Sequence, residues 1–328
     1  MYSVSGYGKM IGDDVRMDAY VAAMRKVIGP GSVVLDLGCG PGVFALLACK
    51  FGARRVFAVE PESVITIGRE TAAANGLADK IEFFENLSTE ITLPERADVI
   101  VSDLHGVLPY FQQHIPSIID ARKRLLAPGG VLIPRREVLW AAVVEAPDLY
   151  GEIVDPWRNN KFQLDLSAGT RFVTNMWRKA YLKPEQLLVE PVIWTTIDYY
   201  EVDSRDNRAE ICLRVKRKGT AHGIAVWFDS ELLDGIGFSN HPSAPEMIYG
   251  NAFFPFSEAV EVMEGDQIKT QLAGQFVSDD YVWRWETDFF SGEDDARPKV
   301  SFKQSTFHGL PLTPAALQKL SKKSVDEL

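Results

Sequence analysis

Residues 33–60, VVLDLGCGPGVFALLACKFGARRVFAVE, constrain the fold more than any other stretch. An apolar run from Val33 to Leu37 stops at a glycine-rich turn, and a helix of small residues follows. A second apolar run, Val56 to Val59, then ends on Glu60. Strand, glycine turn, helix and strand with a terminal acid form the opening unit of a nucleotide-binding parallel sheet. Glycine lets the backbone approach a ligand closely, and the acid can accept hydrogen bonds from a ribose diol.

The spacing narrows the nucleotide. A dinucleotide site uses G-x-G-x-x-G, whereas here the glycines are Gly38, Gly40 and Gly42, and position 43 is valine. Asp36 sits two residues before the first glycine, giving D-x-G-x-G-x-G. That pattern resembles motif I of the class I S-adenosylmethionine (SAM) methyltransferases. A carboxylate is a poor neighbour for a pyrophosphate but suits the sulfonium and ammonium of SAM. SAM is therefore the expected cofactor, ahead of NAD.

A length of 328 residues suggests two domains. Cys39, Cys49 and Cys212 are too scattered for a disulfide framework or a zinc site, so a reducing compartment and no metal are expected. The first residues, MYSVSGYGKMIGDD, lack the apolar core of a signal peptide, and no run reaches membrane-spanning length. The expected location is the cytoplasm, with no membrane partner. The formal net charge of −10 argues against a nucleic-acid-binding surface and is compatible with a cationic substrate.

Residues 13–28 carry Val15, Tyr20, Met24 and Ile28 at helical spacing, and Gly29-Pro30-Gly31 ends that helix. After the central unit, helices are expected near 62–75 and 113–126, with strands at 81–84, 97–103 and 130–133. Strands alternating with helices indicate a doubly wound parallel sheet over 1–134. Beyond Pro134 the alternation gives way to short apolar runs: VLWAAVVEA, VIWTTIDYY, AEICLRVKR, HGIAVWFDSEL, AVEV, IKTQLAGQF and YVWRWETDF. They predict an antiparallel β-barrel or sandwich domain over 135–300, interrupted by a partly helical stretch at 155–190. A C-terminal extension, 301–328, ends in TPAALQKLSKKSVDEL, which reads as a short helix.

A SAM-type parallel domain followed by an all-β domain resembles the protein arginine methyltransferase family, from about Met10 to Phe290. MIGDDVRMDAY is similar to the family's N-terminal helix, VVLDLGCGPG and VFAVE to its motif I and following strand, and SDLHG to its SEWMG segment. HGIAVWFDSEL and VMEGDQI are similar to stretches of its barrel. The resemblance implies a homodimer, with 155–190 as the dimerisation arm. It also implies that Arg16 pairs with the carboxylate of SAM. Asp36, Gly38, Cys39, Gly40 and Gly42 would line its methionine part, and Glu60 would take the ribose hydroxyls. Leu87, Ser88 and Thr89 would hold the adenine edge, and Ser102 would run past the sulfonium.

On the acceptor side the resemblance implies two loop glutamates that grip a guanidinium, whose charge is permanent in proteins. Their positions hold Asp103 and Gln112, the first a methylene shorter and the second uncharged. The family's THW loop falls on Met247-Ile248-Tyr249, and of its two N-terminal tyrosines only Tyr7 has a counterpart. His105 is a candidate general base, with His114 just beyond it, while Tyr110 and Phe111 are candidate pocket walls. The expected activity is methyl transfer to a nitrogen acceptor, either protein arginine or a small guanidino or amine compound. A small-molecule N- or O-methyltransferase and a non-catalytic SAM-binding dimeric scaffold stand as alternatives.

Overall fold

The computed structural model describes residues 3–292 and 297–310. The run expected to form the C-terminal helix, from Thr313, lies outside the described residues. Two helices open the chain, Val4–Ile11 (α1) and Asp14–Val27 (α2). Asp13 caps α2 by accepting the Arg16 backbone N–H at 3.2 Å, a contact of a kind that contributes about 1 kcal/mol. No helical periodicity marks α1 in the sequence, because its glycines at 6 and 8 obscure it.

Val33–Leu37 (β1), Arg55–Val59 (β2), Ile81–Phe84 (β3), Ala97–Ser102 (β4) and Leu126–Ile133 (β5) build a parallel sheet in the order β3-β2-β1-β4-β5. Every residue of β1 is buried, which is why the run is apolar without alternation. Val43–Lys50 (α3), Ile65–Ala74 (α4) and His114–Arg124 (α5) make the crossovers. The chain steps outward from β1 to β3 and then returns to β4. The carboxyl ends of β1 and β4 therefore flank the topological switch point, where such sheets bind ligands. The glycine turn and the Asp103 loop leave from those two ends.

After Pro134 come Arg136–Val144 (β6), then Pro147–Arg158 (α6) and Thr170–Val173 (α7). Arg178–Ala180 (β7), Val192–Asp198 (β8), Asn207–Arg214 (β9), Gly219–Leu233 (β10), Ile236–Ser239 (β11), Asn251–Val262 (β12), Gln267–Val277 (β13), Asp280–Phe290 (β14) and Val300–Ser305 (β15) follow. One antiparallel sheet runs β7-β12-β10-β6-β8 with β11 on β10, and the other runs β15-β14-β13-β9. Together they form the barrel. Trp283 and Trp285 from one sheet pack on Phe254 of the other, each with ring centroids 5.3 Å apart. Strand β15 extends the second sheet through Ser305, past the expected limit at 300.

Helix α2 lies between the two domains. Tyr20 stacks on Phe44 of α3 at 4.6 Å and meets Phe238 of β11 at 6.1 Å. This packing carries Arg16 into the seam. The excursion between β6 and β8 begins at Pro147 rather than 155, and it leaves Trp157, Phe162, Leu164 and Met176 exposed.

Candidate active site

At the glycine turn, Gly38 and Gly40 have φ of 73° and 50°, the left-handed region that favours glycine. Gly42, also left-handed, starts α3 but has no side chain to cap it. Asp36 does that work from β1: its Oδ2 accepts the Ala45 N–H at 2.8 Å. Burial pushes the Asp36 carboxyl up to about 7, against that hydrogen bond, and the nearby Glu60 charge adds to the rise. Glu60 accepts backbone N–H groups from Gly40 at 3.1 Å and Glu62 at 3.0 Å. Its carboxyl is likewise raised by burial. Cys39 and Gly38 both donate to the Val59 carbonyl at 2.9 Å, pinning the turn to β2.

The loop after β4 lies over this turn. A Cβ on Gly38 would meet the Leu104 side chain at 1.9 Å, and one on Gly40 would meet the Tyr7 ring at 2.6 Å. Asp103, with a side chain 4% exposed, ion-pairs with Arg16, whose Nε donates to its Oδ2 at 2.6 Å. The Tyr249 hydroxyl donates to Asp103 Oδ1 at 2.8 Å. Burial works against the Asp103 charge, but Arg16 and His105 outweigh it and hold the carboxyl below its usual range.

His105 is fully buried, stacked on Tyr249 at 5.0 Å and edge-on to Phe228 at 4.8 Å. Its Nδ1 faces the Gly106 carbonyl at 3.0 Å and must therefore carry a hydrogen. Its Nε2 lies 3.1 Å from Glu137 Oε1 and 3.8 Å from Asp103 Oδ1. Burial alone would strip the ring of its proton, but Glu137 and then Asp103 overcome that and lift it to about 9. His105 is thus an imidazolium between two carboxylates. Glu137, from β6, also accepts from the Tyr199 hydroxyl at 2.5 Å. Tyr199 in turn lies 2.8 Å from His114 Nε2, which must carry the hydrogen because the tyrosine proton is committed to Glu137. Burial and the His105 charge press His114 down to about 3, so it is neutral.

Arg16, Asp36, Gly38, Cys39, Gly40, Gly42, Glu60, Ser102, Asp103 and His105 are brought together at the switch point. Ser102 is buried, its carbonyl accepting from Tyr20 at 2.9 Å. Ser88 is buried below the turn after β3, with Leu87 and Thr89 exposed beside it. Gln112 does not join Asp103. It is exposed, left-handed with φ 43°, and its N–H donates to Asp280 on the β13–β14 turn at 3.2 Å. Tyr110 packs into the barrel against Tyr281 and Trp194 at 5.5 and 5.6 Å, and Phe111 packs over Gly106. The sequence reading missed Glu137. A signal was present, because Glu137 shares the inward phase of Leu139, Ala141 and Val143 along β6.

Residues 135–288 match the family model described as the arginine methyltransferase oligomerization subdomain. Residues 18–142 match that of ribosomal protein L11 methyltransferase. The chain is 31% identical over 251 residues to the probable protein arginine N-methyltransferase 6 of Arabidopsis thaliana, covering 72% of this chain and 55% of that protein. It is 26% identical over 295 residues to protein arginine N-methyltransferase 1 of Dictyostelium discoideum, covering 87% of this chain and 86% of that one. The chain thus spans about half the length of the first relative and most of the second. It also superposes on one chain of the Trypanosoma brucei PRMT1 enzyme–prozyme heterotetrameric complex with AdoHcy. There the TM-score is 0.81 and the identity 20%, with 91% of this chain and 97% of that chain covered, a likeness of fold.

Proposed function

The chain belongs to the protein arginine methyltransferase family, and on that footing we propose that it transfers a methyl group from SAM to a guanidino nitrogen, that of protein arginine or of a small guanidino compound. The observation that carries this reading is the loop after β4 lying on the glycine turn, which sets buried Asp103 against Arg16 at the mouth of the nucleotide unit.

The residues fit the cofactor. A buried carboxyl pushed up to about 7 at Asp36 is relieved by a cationic guest, as SAM is. The atoms nearest to a Cβ built on Gly38 or Gly40 belong to the Leu104 and Tyr7 side chains, which can give way where backbone could not. Asp36, Gly38, Cys39, Gly40 and Gly42 would hold the methionine part and Glu60 the ribose. Leu87, Ser88 and Thr89 would flank the adenine, with Ser102 beside the sulfonium. When bound, the sulfonium supplies a methyl group already activated for transfer. Arg16 is engaged by Asp103 and so ties the cofactor side to the acceptor side. Asp103 orients the acceptor, and holding the two reactants in line supplies much of the acceleration.

Calorimetric titration with S-adenosylhomocysteine tests the site. One-to-one binding is expected, with stabilisation of about 2.7 kcal/mol at a hundredfold excess over Kd. An absence of binding would contradict the reading. We further infer a homodimer through the 147–173 excursion, whose exposed Trp157, Phe162 and Leu164 suit an apolar contact with a second copy. Light scattering should give a dimer that Phe162→Asp with Leu164→Asp dissociates, and a monomeric wild type would contradict it. The three free cysteines suit a reducing setting, the cytoplasm.

A further inference from the structure

The site contains a second acid that the loop lacks. Glu137 comes from the first strand of the barrel, is 0% exposed, and faces the same ring nitrogen as Asp103. Glu137 Oε1 and His105 Nε2 face each other at ion-pair distance, 3.1 Å, so the proton that His105 holds on this nitrogen is what balances the buried oxygen. A carboxylate buried this deeply needs such a cationic donor. A guanidinium, with five N–H donors in a fixed fork, is the kind of guest that supplies it.

The charges show what stands in the way. Arg16 and His105 carry one positive charge each, and Asp103 and Glu137 one negative each, so the cluster is neutral as it stands. A guanidinium entering beside a charged His105 would be a third cation in a buried site, and like charges at that range repel strongly. If His105 is neutral, the same guanidinium restores balance. His105 is the group able to make that exchange. His114 is already neutral, Arg16 stays charged, and Tyr20, Tyr199 and Tyr249 around it are all held protonated by burial.

Resting on the methyl-transfer reading above, we infer that Glu137 is the second acid facing a cationic acceptor. His105 is the resident cation between Glu137 and Asp103, and it gives up its proton when the acceptor is held there. Glu137 takes the place that Gln112 leaves vacant on the loop, from a different domain and a different strand.

The test uses the full chain saturated with S-adenosylhomocysteine and titrated with an acetylated Gly-Arg-Gly amide between pH 6.5 and 8.5. Displacing one proton makes the peptide Kd fall about tenfold per pH unit below the His105 pKa of about 9. His105→Gln should bind more tightly than wild type at pH 6.5 and show no pH slope. Glu137→Gln should weaken the peptide about tenfold at pH 8.5, where displacing the proton costs wild type least, and flatten the pH slope because Glu137 is the main group holding the His105 proton, with S-adenosylhomocysteine binding kept. A wild-type Kd that is flat with pH, no peptide binding at any pH, or a Glu137→Gln protein that binds like wild type at pH 8.5 would each overturn the inference. A flat wild-type profile overturns the inference even if a variant fails to fold. Failure to bind S-adenosylhomocysteine would instead overturn the methyl-transfer reading, so the two failures are distinct.

Discussion

The glycine turn and the acid cluster lie side by side at one end of the same sheet, yet they are built on different principles. The turn is local: Asp36, the glycines and Glu60 lie within one strand–helix–strand unit, and backbone N–H groups hold both carboxylates. The cluster is assembled from distant elements, with Arg16 from α2, Asp103 and His105 from the β4 loop, Glu137 from β6 and Tyr249 from the turn before β12. A local unit keeps its sequence signature because its spacing is its geometry. An assembled cluster keeps only its chemistry, and an acid can be supplied from another strand.

The largest expected effect attacks the local half. Gly40→Arg puts a side chain at φ +50° with its Cβ 2.6 Å from Tyr7, and should weaken S-adenosylhomocysteine about 1,000-fold, some ~4 kcal/mol. A calorimetric titration of that variant close to wild type would break the cofactor assignment.

Next comes the pH dependence of stability in the assembled half. His105 has its pKa raised to about 9 in the folded chain, so its contribution is complete below the unfolded value of 6.5 and is lost as pH rises through 9. That is up to ~3 kcal/mol for a shift of this size. Wild type should therefore lose melting temperature from pH 6.5 to 9.5 more steeply than His105→Gln, and parallel curves would refute the buried imidazolium. Glu137 and Asp103 work in the opposite sense. Their lowered pKa values add stability above the usual carboxylate range, which is lost as pH falls through the folded values.

Asp103→Asn should lower turnover about 30-fold, some ~2 kcal/mol, with S-adenosylhomocysteine affinity within about threefold of wild type. Equal losses in both would mean that Asp103 serves the cofactor instead. The smallest effect belongs to Gln112→Ala, expected within ~0.5 kcal/mol in stability and close to wild type in turnover, because the side chain is exposed and apart from the cluster. A tenfold loss of turnover there would return the second acceptor position to the loop.

The sequence made the local half legible. The D-x-G-x-G-x-G spacing located the turn, and alternation located most barrel strands, because one face of each is buried. What stayed hidden shares a cause. Strands β7 and β11 are too short to show a period, and β15 alternates weakly at an edge. Glu137 was hidden because an acid at an inward position reads as the flank of a strand until its partner is known, and its partner, His105, lies 32 residues earlier on another domain.

The most direct measurement is methyl transfer itself, with methyl-labelled SAM, the purified protein and a crude extract separated into protein and small-molecule fractions. The account predicts label that hydrolyses to methylarginine or a methylated guanidino compound, and its disappearance in Gly40→Arg. A protein that binds S-adenosylhomocysteine yet labels nothing in either fraction would contradict it and leave a cofactor-binding scaffold.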